Sequence, residues 1–197
     1  MMTIEVFAGA MFSGKTEELI RRVKRLALGD KKFLAIKPLQ DKRTTSEIVS
    51  MTKDEDGIFK PHLRLPATPV NSERGLRRLL DETRADVLAI DEAQFFGRWL
   101  YDFILKLRQA KKDITILISG LDMDSWGEPF GIMPQLMAIA NEVHKEKAVC
   151  FNCHQTPENA SMTYRKSSSR KRIQIGHADA YEARCPDCWS APPRKHK

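Results

Sequence analysis

Gly9-Ala10-Met11-Phe12-Ser13-Gly14-Lys15-Thr16 follows a run, Thr3 to Ala8, that alternates apolar and polar residues and includes β-branched members. Such a run reads as a strand entering a tight turn. Beyond the turn, Leu19, Ile20, Val23, Leu26 and Ala27 share one helical face. Arg21, Arg22, Lys24 and Arg25 take the other, and Gly29 ends the pattern. A glycine-rich turn between a strand and an amphipathic helix is the phosphate-loop arrangement: the backbone curls so that successive N–H groups face phosphate oxygens. In that arrangement Lys15 reaches the β and γ phosphates and Thr16 ligates magnesium, so ATP and Mg2+ are the expected cofactors.

Working outward, Phe33 to Ile36 is a second apolar run closed by Lys37-Pro38. Leu39 to Lys60 is polar and reads mostly as loop, with a strand near Ile48. Ser72 is placed to cap a helix carrying Leu76, Leu79 and Leu80. Asp86 to Ile90 reads as a buried strand, Trp99 to Leu107 as a helix, Ile114 to Ser119 as a strand and Ile132 to Val143 as a last helix. Strands alternating with helices imply an α/β fold of the P-loop NTPase type, a parallel sheet with helices on both faces, with its site at the carboxyl ends of the strands.

Val87-Leu88-Ala89-Ile90-Asp91-Glu92 ends a buried strand in two carboxylates, the second half of a nucleotide site in this class. Asp91 is expected to hold magnesium, and Glu92 to accept the proton of an acceptor hydroxyl.

After residue 143 the composition shifts toward Cys, Ser and basic residues. We expect an ATP-binding domain over 1–143, a small zinc-ribbon domain over 144–189 and a disordered tail over 190–197. The four cysteines stand as Cys150-x-x-Cys153 and Cys185-x-x-Cys188. Two disulfides would use them equally, but an ATP-dependent chain works in a reducing compartment, so a structural Zn2+ with four protein ligands is expected. It would staple the two ends of the insert.

The formal charge of +7 resides in Arg165 to Arg172 and in the last residues; with these set aside, the rest is weakly negative and gives no basic nucleic-acid platform. Helicase-like and zinc-ribbon DNA-binding readings are therefore the weaker alternatives. The first residues lack the basic start of a secretory signal, and no apolar run is long enough to span a membrane. A cytoplasmic protein without membrane or nucleic-acid partners is expected.

Taken together these motifs resemble the type II thymidine kinases. The resemblance covers residues 3 to 189 and adds Lys37-Pro38 with Asp41 and Arg43, Asp91-Glu92-Ala93-Gln94-Phe95-Phe96, Gly120-Leu121-Asp122, Glu128-Pro129-Phe130-Gly131 and Ala178-Asp179-Ala180-Tyr181. It implies that Glu92 is the catalytic base, that Asp41 and Arg43 steady the phosphate and 5′-oxygen, and that Ala93 and Gln94 belong to the nucleotide site. It also implies that Met11, Phe95, Leu121 and Tyr181 line the thymine pocket, with Thr163 facing the 5-methyl group. The segment Arg172-Ile173-Gln174-Ile175-Gly176 matches the lasso that closes over the base. The family carries an aromatic residue where this chain has Ser125, so a shifted loop would either bring Trp126, one position later, into that space as a substrate-binding residue or leave the pocket wider; Ala10 stands where a proline is common. Thymidine and ATP as substrates, feedback by dTTP and a homo-oligomer, dimer or tetramer, complete what the resemblance implies.

Overall fold

A computed structural model describes residues 1–56, 58–154, 158–167 and 179–193. Strands β1 (Thr3–Gly9), β2 (Phe33–Pro38), β5 (Thr68–Val70), β6 (Val87–Ile90), β7 (Thr115–Gly120) and β8 (Glu142–Glu146) form a sheet in the order β5-β2-β6-β7-β1-β8. Every pairing within it is parallel. Helices α1 (Lys15–Ala27), α2 (Glu73–Thr83), α3 (Arg98–Gln109) and α4 (Met133–Ile139) connect these strands. A hairpin of β3 (Glu47–Lys53) and β4 (Phe59–Pro66) and a second antiparallel pair, β9 (Met162–Arg165) with β10 (Tyr181–Arg184), stand outside the sheet.

Alternation along the strands separates two cores. Ile4, Val6, Leu34, Ile36, Leu88, Ile90, Ile116 and Ile118 face α2, α3 and α4, where Leu76, Leu100, Phe103, Ile104 and Leu136 are buried. Phe7, Ala35, Ala89 and Leu117 face the other way, against Leu19, Ile20 and Val23 of α1 and against Ile48 and Leu65 of the hairpin. The second face is therefore closed by one helix and a hairpin. Ser72 caps α2 as its position suggests, its hydroxyl accepting the N–H of Gly75 at 3.3 Å.

Two expected elements differ. The stretch from Leu39 to Lys60 is less open than its polarity implies, because β3 and β4 pair through a register shift between Val49 and Met51. The last helix ends at Ile139, not Val143. Ala140 turns extended, the Asn141 side chain accepts the Ile4 N–H at 2.8 Å, and Glu142–Glu146 adds a parallel edge strand beside β1. An exposed edge strand carrying Glu142, Lys145 and Glu146 lacks the apolar run that marks a buried one, which is why it reads as a helix tail. The sheet accordingly runs through His144 and ends at Glu146.

Residues 189–193 lie against the rest of the chain, and 194–197, the remainder of the tail expected to be disordered, lie outside the described residues. The Trp189 indole N–H donates to the Thr163 carbonyl at 3.3 Å, the Trp126 indole N–H donates to the Pro192 carbonyl at 3.0 Å, and Pro192 is buried.

Candidate functional site

The carboxyl ends of β1, β6 and β7 open on one cavity, lined among others by Lys15, Thr16, Asp91, Glu92, Leu121 and Tyr181. Its floor is the turn after β1. Gly9 lies so close to the end of β8 that a Cβ there would stand 2.2 Å from the Glu146 carbonyl oxygen, so only glycine fits. Phe12 holds a φ of 64°, a left-handed conformation that costs a bulky residue about 1 kcal/mol or more. Inside the turn the Lys15 ammonium donates to the Ala10 carbonyl at 2.6 Å. Burial pulls its pKa down, against the pull of Glu92, Asp91 and Asp122. A buried ammonium on a neutral carbonyl is ready to exchange that partner for an anion.

Asp91, 2% exposed, sits where the buried run of β6 ends, and the Thr16 hydroxyl donates to its Oδ1 at 3.3 Å. Burial raises the Asp91 carboxyl to about 6, with Glu92 adding to the effect and Arg43 opposing it. This hydroxyl and carboxylate are the oxygen donors a magnesium ion takes beside substrate phosphates. Their fit rests on the desolvated carboxylate, which a cation would favour.

Glu92 adopts a φ of 53° at the start of a 3-10 turn, Ala93–Phe95, and lines the cavity beside Asp91. There Arg43 donates to Oε1 at 2.5 Å and the Gln94 amide donates to Oε2 at 2.5 Å. Arg43 also forks onto Asp41 at 2.6 and 3.0 Å, and Asp41 lies 3.2 Å from Lys37, whose side chain is fully buried. The Glu92 carboxylate, ahead of Asp41, raises the Arg43 pKa. Burial works against ionisation of Asp41, but Arg43 and Lys37 hold its pKa below the ordinary value. Gln94 completes the chain, its Oε1 accepting the Leu121 N–H at 3.0 Å.

Met11, Leu121, Phe95 and Phe130 make an apolar wall in which the Phe95 and Phe130 rings meet edge to face at 5.6 Å. Opposite, Thr163 and Arg165 of β9 and Tyr181 of β10 reach the same space. The Thr163 hydroxyl accepts the Met11 N–H at 3.1 Å, tying β9 to the phosphate-loop turn. Arg165, only 3% exposed, has its guanidinium 5.1 Å from the Trp126 ring and 5.7 Å from the Tyr181 ring.

Most expected site residues thus converge. Gly9, Ala10, Ala93 and Gln94 stand behind the lining, and Arg172 to Gly176 lie outside the described residues. Trp126 is a correction: Ser125 lines the cavity and Trp126 does not. The N–H groups of Trp126 and Glu128 both donate to Asp124 Oδ1, at 2.9 and 3.1 Å, and this turn carries the indole out toward Pro192. Arg165 is a residue that sequence reasoning missed, since it was counted only among the basic residues that carry the net charge. The hairpin's contribution, Val49, Ser50 and Met51, was missed as well.

The four cysteines also converge. Their Sγ atoms lie within 4.8 Å of one another, with Cys153 and Cys185 at 3.8 Å and every thiol free. Four sulfurs about 2.3 Å from a tetrahedral zinc stand about 3.8 Å apart, so the set fits that ion and is too wide for disulfides. Burial opposes ionisation of Cys150, yet the N–H groups of Cys153, Cys185 and Asn152 bring its thiol down to about 6. Burial pushes Cys185 up to about 12, helped by the neighbouring Cys188. Four converging thiols that a bound cation would deprotonate are suitable donor chemistry for zinc.

Comparison with known proteins agrees with this geometry. A family model described as thymidine kinase matches residues 2–189. Thymidine kinases of Bacteroides thetaiotaomicron and Bacteroides fragilis are 40% and 41% identical to the chain, over 94% of it and 86% of theirs. The thymidine kinase of Mesomycoplasma hyopneumoniae is 40% identical over 95% of each chain.

Proposed function

This chain belongs to the thymidine kinase family and phosphorylates thymidine, and on that premise we propose that ATP is the donor and that the residues above divide the work. The observation that carries the assignment is the meeting, at one cavity mouth, of the Thr16–Asp91 pair and the Arg43–Glu92 pair.

Phosphoryl transfer asks little covalent chemistry of a protein and much positioning and charge. The N–H groups of the Gly9 to Thr16 turn and the Lys15 ammonium hold the β and γ phosphates. Thr16 and Asp91 would hold a magnesium ion, which when bound neutralises charge on those phosphates. Glu92 takes the proton of the 5′-hydroxyl as that oxygen bonds to the γ-phosphorus and the bond from phosphorus to the β,γ-bridging oxygen breaks, leaving ADP and dTMP. A phosphoryl group arriving beside Arg43 competes with Glu92 for the guanidinium, which frees an Oε1 lone pair for that proton. Gln94 keeps the other oxygen fixed, so the base stays aimed.

The apolar wall of Met11, Leu121, Phe95 and Phe130 suits a flat pyrimidine, with Thr163 and Tyr181 opposite. The same premise carries the proposals of feedback by dTTP, a homo-oligomer and a cytoplasmic location. No helix among the described residues is long and apolar enough to cross a membrane.

Radiolabelled transfer from ATP to the four deoxynucleosides, thymidine among them, and to deoxyuridine tests the reading. Thymidine and deoxyuridine are expected to accept phosphate, purine nucleosides to fail by size, and deoxycytidine to fail because its amine reverses a donor and acceptor pattern. Comparable labelling of deoxyguanosine would overturn it.

A further inference from the structure

Phe12, at the edge of the cavity, is a phosphate-loop residue whose side chain also reaches beyond the loop. It packs against the small core of Ala148, Cys150, Ala160, Ala183 and Cys185, beside Phe151, Cys153 and Cys188. Its ring stacks on Phe151 with centroids 5.2 Å apart, and the Phe59 ring from β4 lies 4.8 Å from Phe12 and 6.2 Å from Phe151. Phe151 stands between the ligands Cys150 and Cys153, so where its ring lies depends on where those two sulfurs are held. Its N–H donates to the Ala183 carbonyl at 2.9 Å, which fastens it to the strand leading to Cys185.

Phe12 sits at a φ of 64°, a conformation a bulky side chain keeps only where its surroundings hold it. The surroundings here are the two other rings and the small core beside the cysteines. The turn that presents N–H groups to phosphates is therefore shaped in part by a ring mounted on the cysteine knuckle.

We propose that Phe151 is a positioning residue for the phosphate loop, through which metal occupancy at the four cysteines and nucleotide binding at Gly9 to Thr16 favour one another. The coupling rests on the reading that the cysteines hold zinc and the turn holds ATP. Because coupling between two sites is reciprocal, a nucleotide must tighten zinc by the factor by which zinc tightens the nucleotide.

The experiment follows zinc leaving the intact, zinc-loaded protein to a colorimetric chelator, with and without saturating ADP and magnesium, in wild type, Phe151→Leu and Phe12→Leu. Wild type is expected to release zinc about fivefold or more slowly with ADP, within the usual range of such couplings. Phe151→Leu, which keeps apolar volume but loses the ring face, is expected to show less than half of that factor. It should also raise the KM for ATP several-fold while kcat and the KM for thymidine move little. A merely structural Phe151 would instead lower the melting temperature and shift both KM values together. If Phe151→Leu loses its metal during purification, Phe12→Leu tests the same contact from the other side.

Equal protection by ADP in wild type and both variants would overturn the coupling. So would equal release rates with and without ADP in a wild-type protein that carries zinc and binds ADP by calorimetry. A wild type without zinc, or one that does not bind ADP, would fell the underlying reading and the coupling together.

Discussion

Asp41 lies beside two cations, Lys37 at 3.2 Å and Arg43 at 2.6 Å, and Lys37 has no exposure to water. Replacing it with Asn leaves that buried ammonium short of its countercharge, so Asp41→Asn is expected to cost about 2 kcal/mol at pH 7, the scale of a hydrogen bond to a charged group. The pKa of Asp41 is depressed below 3.8 in the folded chain. The stability it contributes is thus fully present above its unfolded value and is lost as pH falls through the folded one. Urea unfolding of wild type and Asp41→Asn should differ at pH 7 and converge as the pH falls through the depressed folded-state pKa of Asp41, and a gap that persists once that carboxyl is protonated would show that packing, not charge, is lost. At the reaction itself, Glu92→Gln should lower kcat by about 10²-fold or more with ATP affinity nearly kept, since the amide cannot take a proton. Lys15→Ala should abolish activity through lost phosphate contacts. Steady-state kinetics of Glu92→Gln at neutral pH decides its case, and near-full turnover would remove Glu92 as the base.

Segment 189–193 acts on the cavity without touching it. Pro192 receives the Trp126 indole and Trp189 donates to the Thr163 carbonyl, so the segment braces both Ser125's loop and the strand bearing Thr163 and Arg165. Truncation after Cys188 is expected to raise the KM for thymidine several-fold, each lost hydrogen bond contributing about 1 kcal/mol, while the KM for ATP changes less than twofold. Initial rates at varied thymidine and then varied ATP test this, and equal changes in both would point to general loosening. This brace was not legible in the sequence, because two prolines and four basic or His residues resemble a frayed end and indole bonds to backbone carbonyls leave no pattern. The phosphate loop, β6 with its two carboxylates and the cysteine pairs were legible, since each is local: a turn chemistry, an apolar run or a fixed spacing. The β3–β4 hairpin was legible in part. Phe59, Pro61, Leu63 and Leu65 alternate with polar residues after Asp56-Gly57, a hairpin signal that charged neighbours mask. Edge strand β8 and buried Arg165 depend on partners far away in sequence, and residue type alone does not reveal them.

At the scale of the whole molecule the apolar mass is unevenly shared. The sheet is packed on both faces by two extended cores, whereas the cysteine knuckle has Ala148, Ala160 and Ala183 with Cys150 and Cys185, and borrows Phe12 from the phosphate loop. So small a core cannot offset the entropy of ordering its own chain, and units of this size depend on a metal. Removing zinc, by chelation or by Cys153→Ser, is therefore expected to unfold the cysteine-bearing part and leave the sheet folded. Two of the three tryptophans report on it: Trp126 and Trp189 lie against β9 and the C-terminal segment, while Trp99, in the first turn of α3, packs beside Phe96. Chelation should shift indole emission to the red with far-UV circular dichroism largely kept, and thermal unfolding should show two transitions with zinc bound and only the higher one after full chelation. The low transition should move with free zinc concentration and the high one should not, because metal binding adds stability only to the unit it folds. Thymidine binding, which needs Thr163 and Tyr181 from that part, should vanish at the low transition. Nucleotide binding should weaken and persist, since Lys15, Thr16 and Asp91 belong to the sheet and only Phe12 depends on the knuckle. One transition, moving as a whole with zinc, would mean that the cysteine part and the sheet fold as a single cooperative unit.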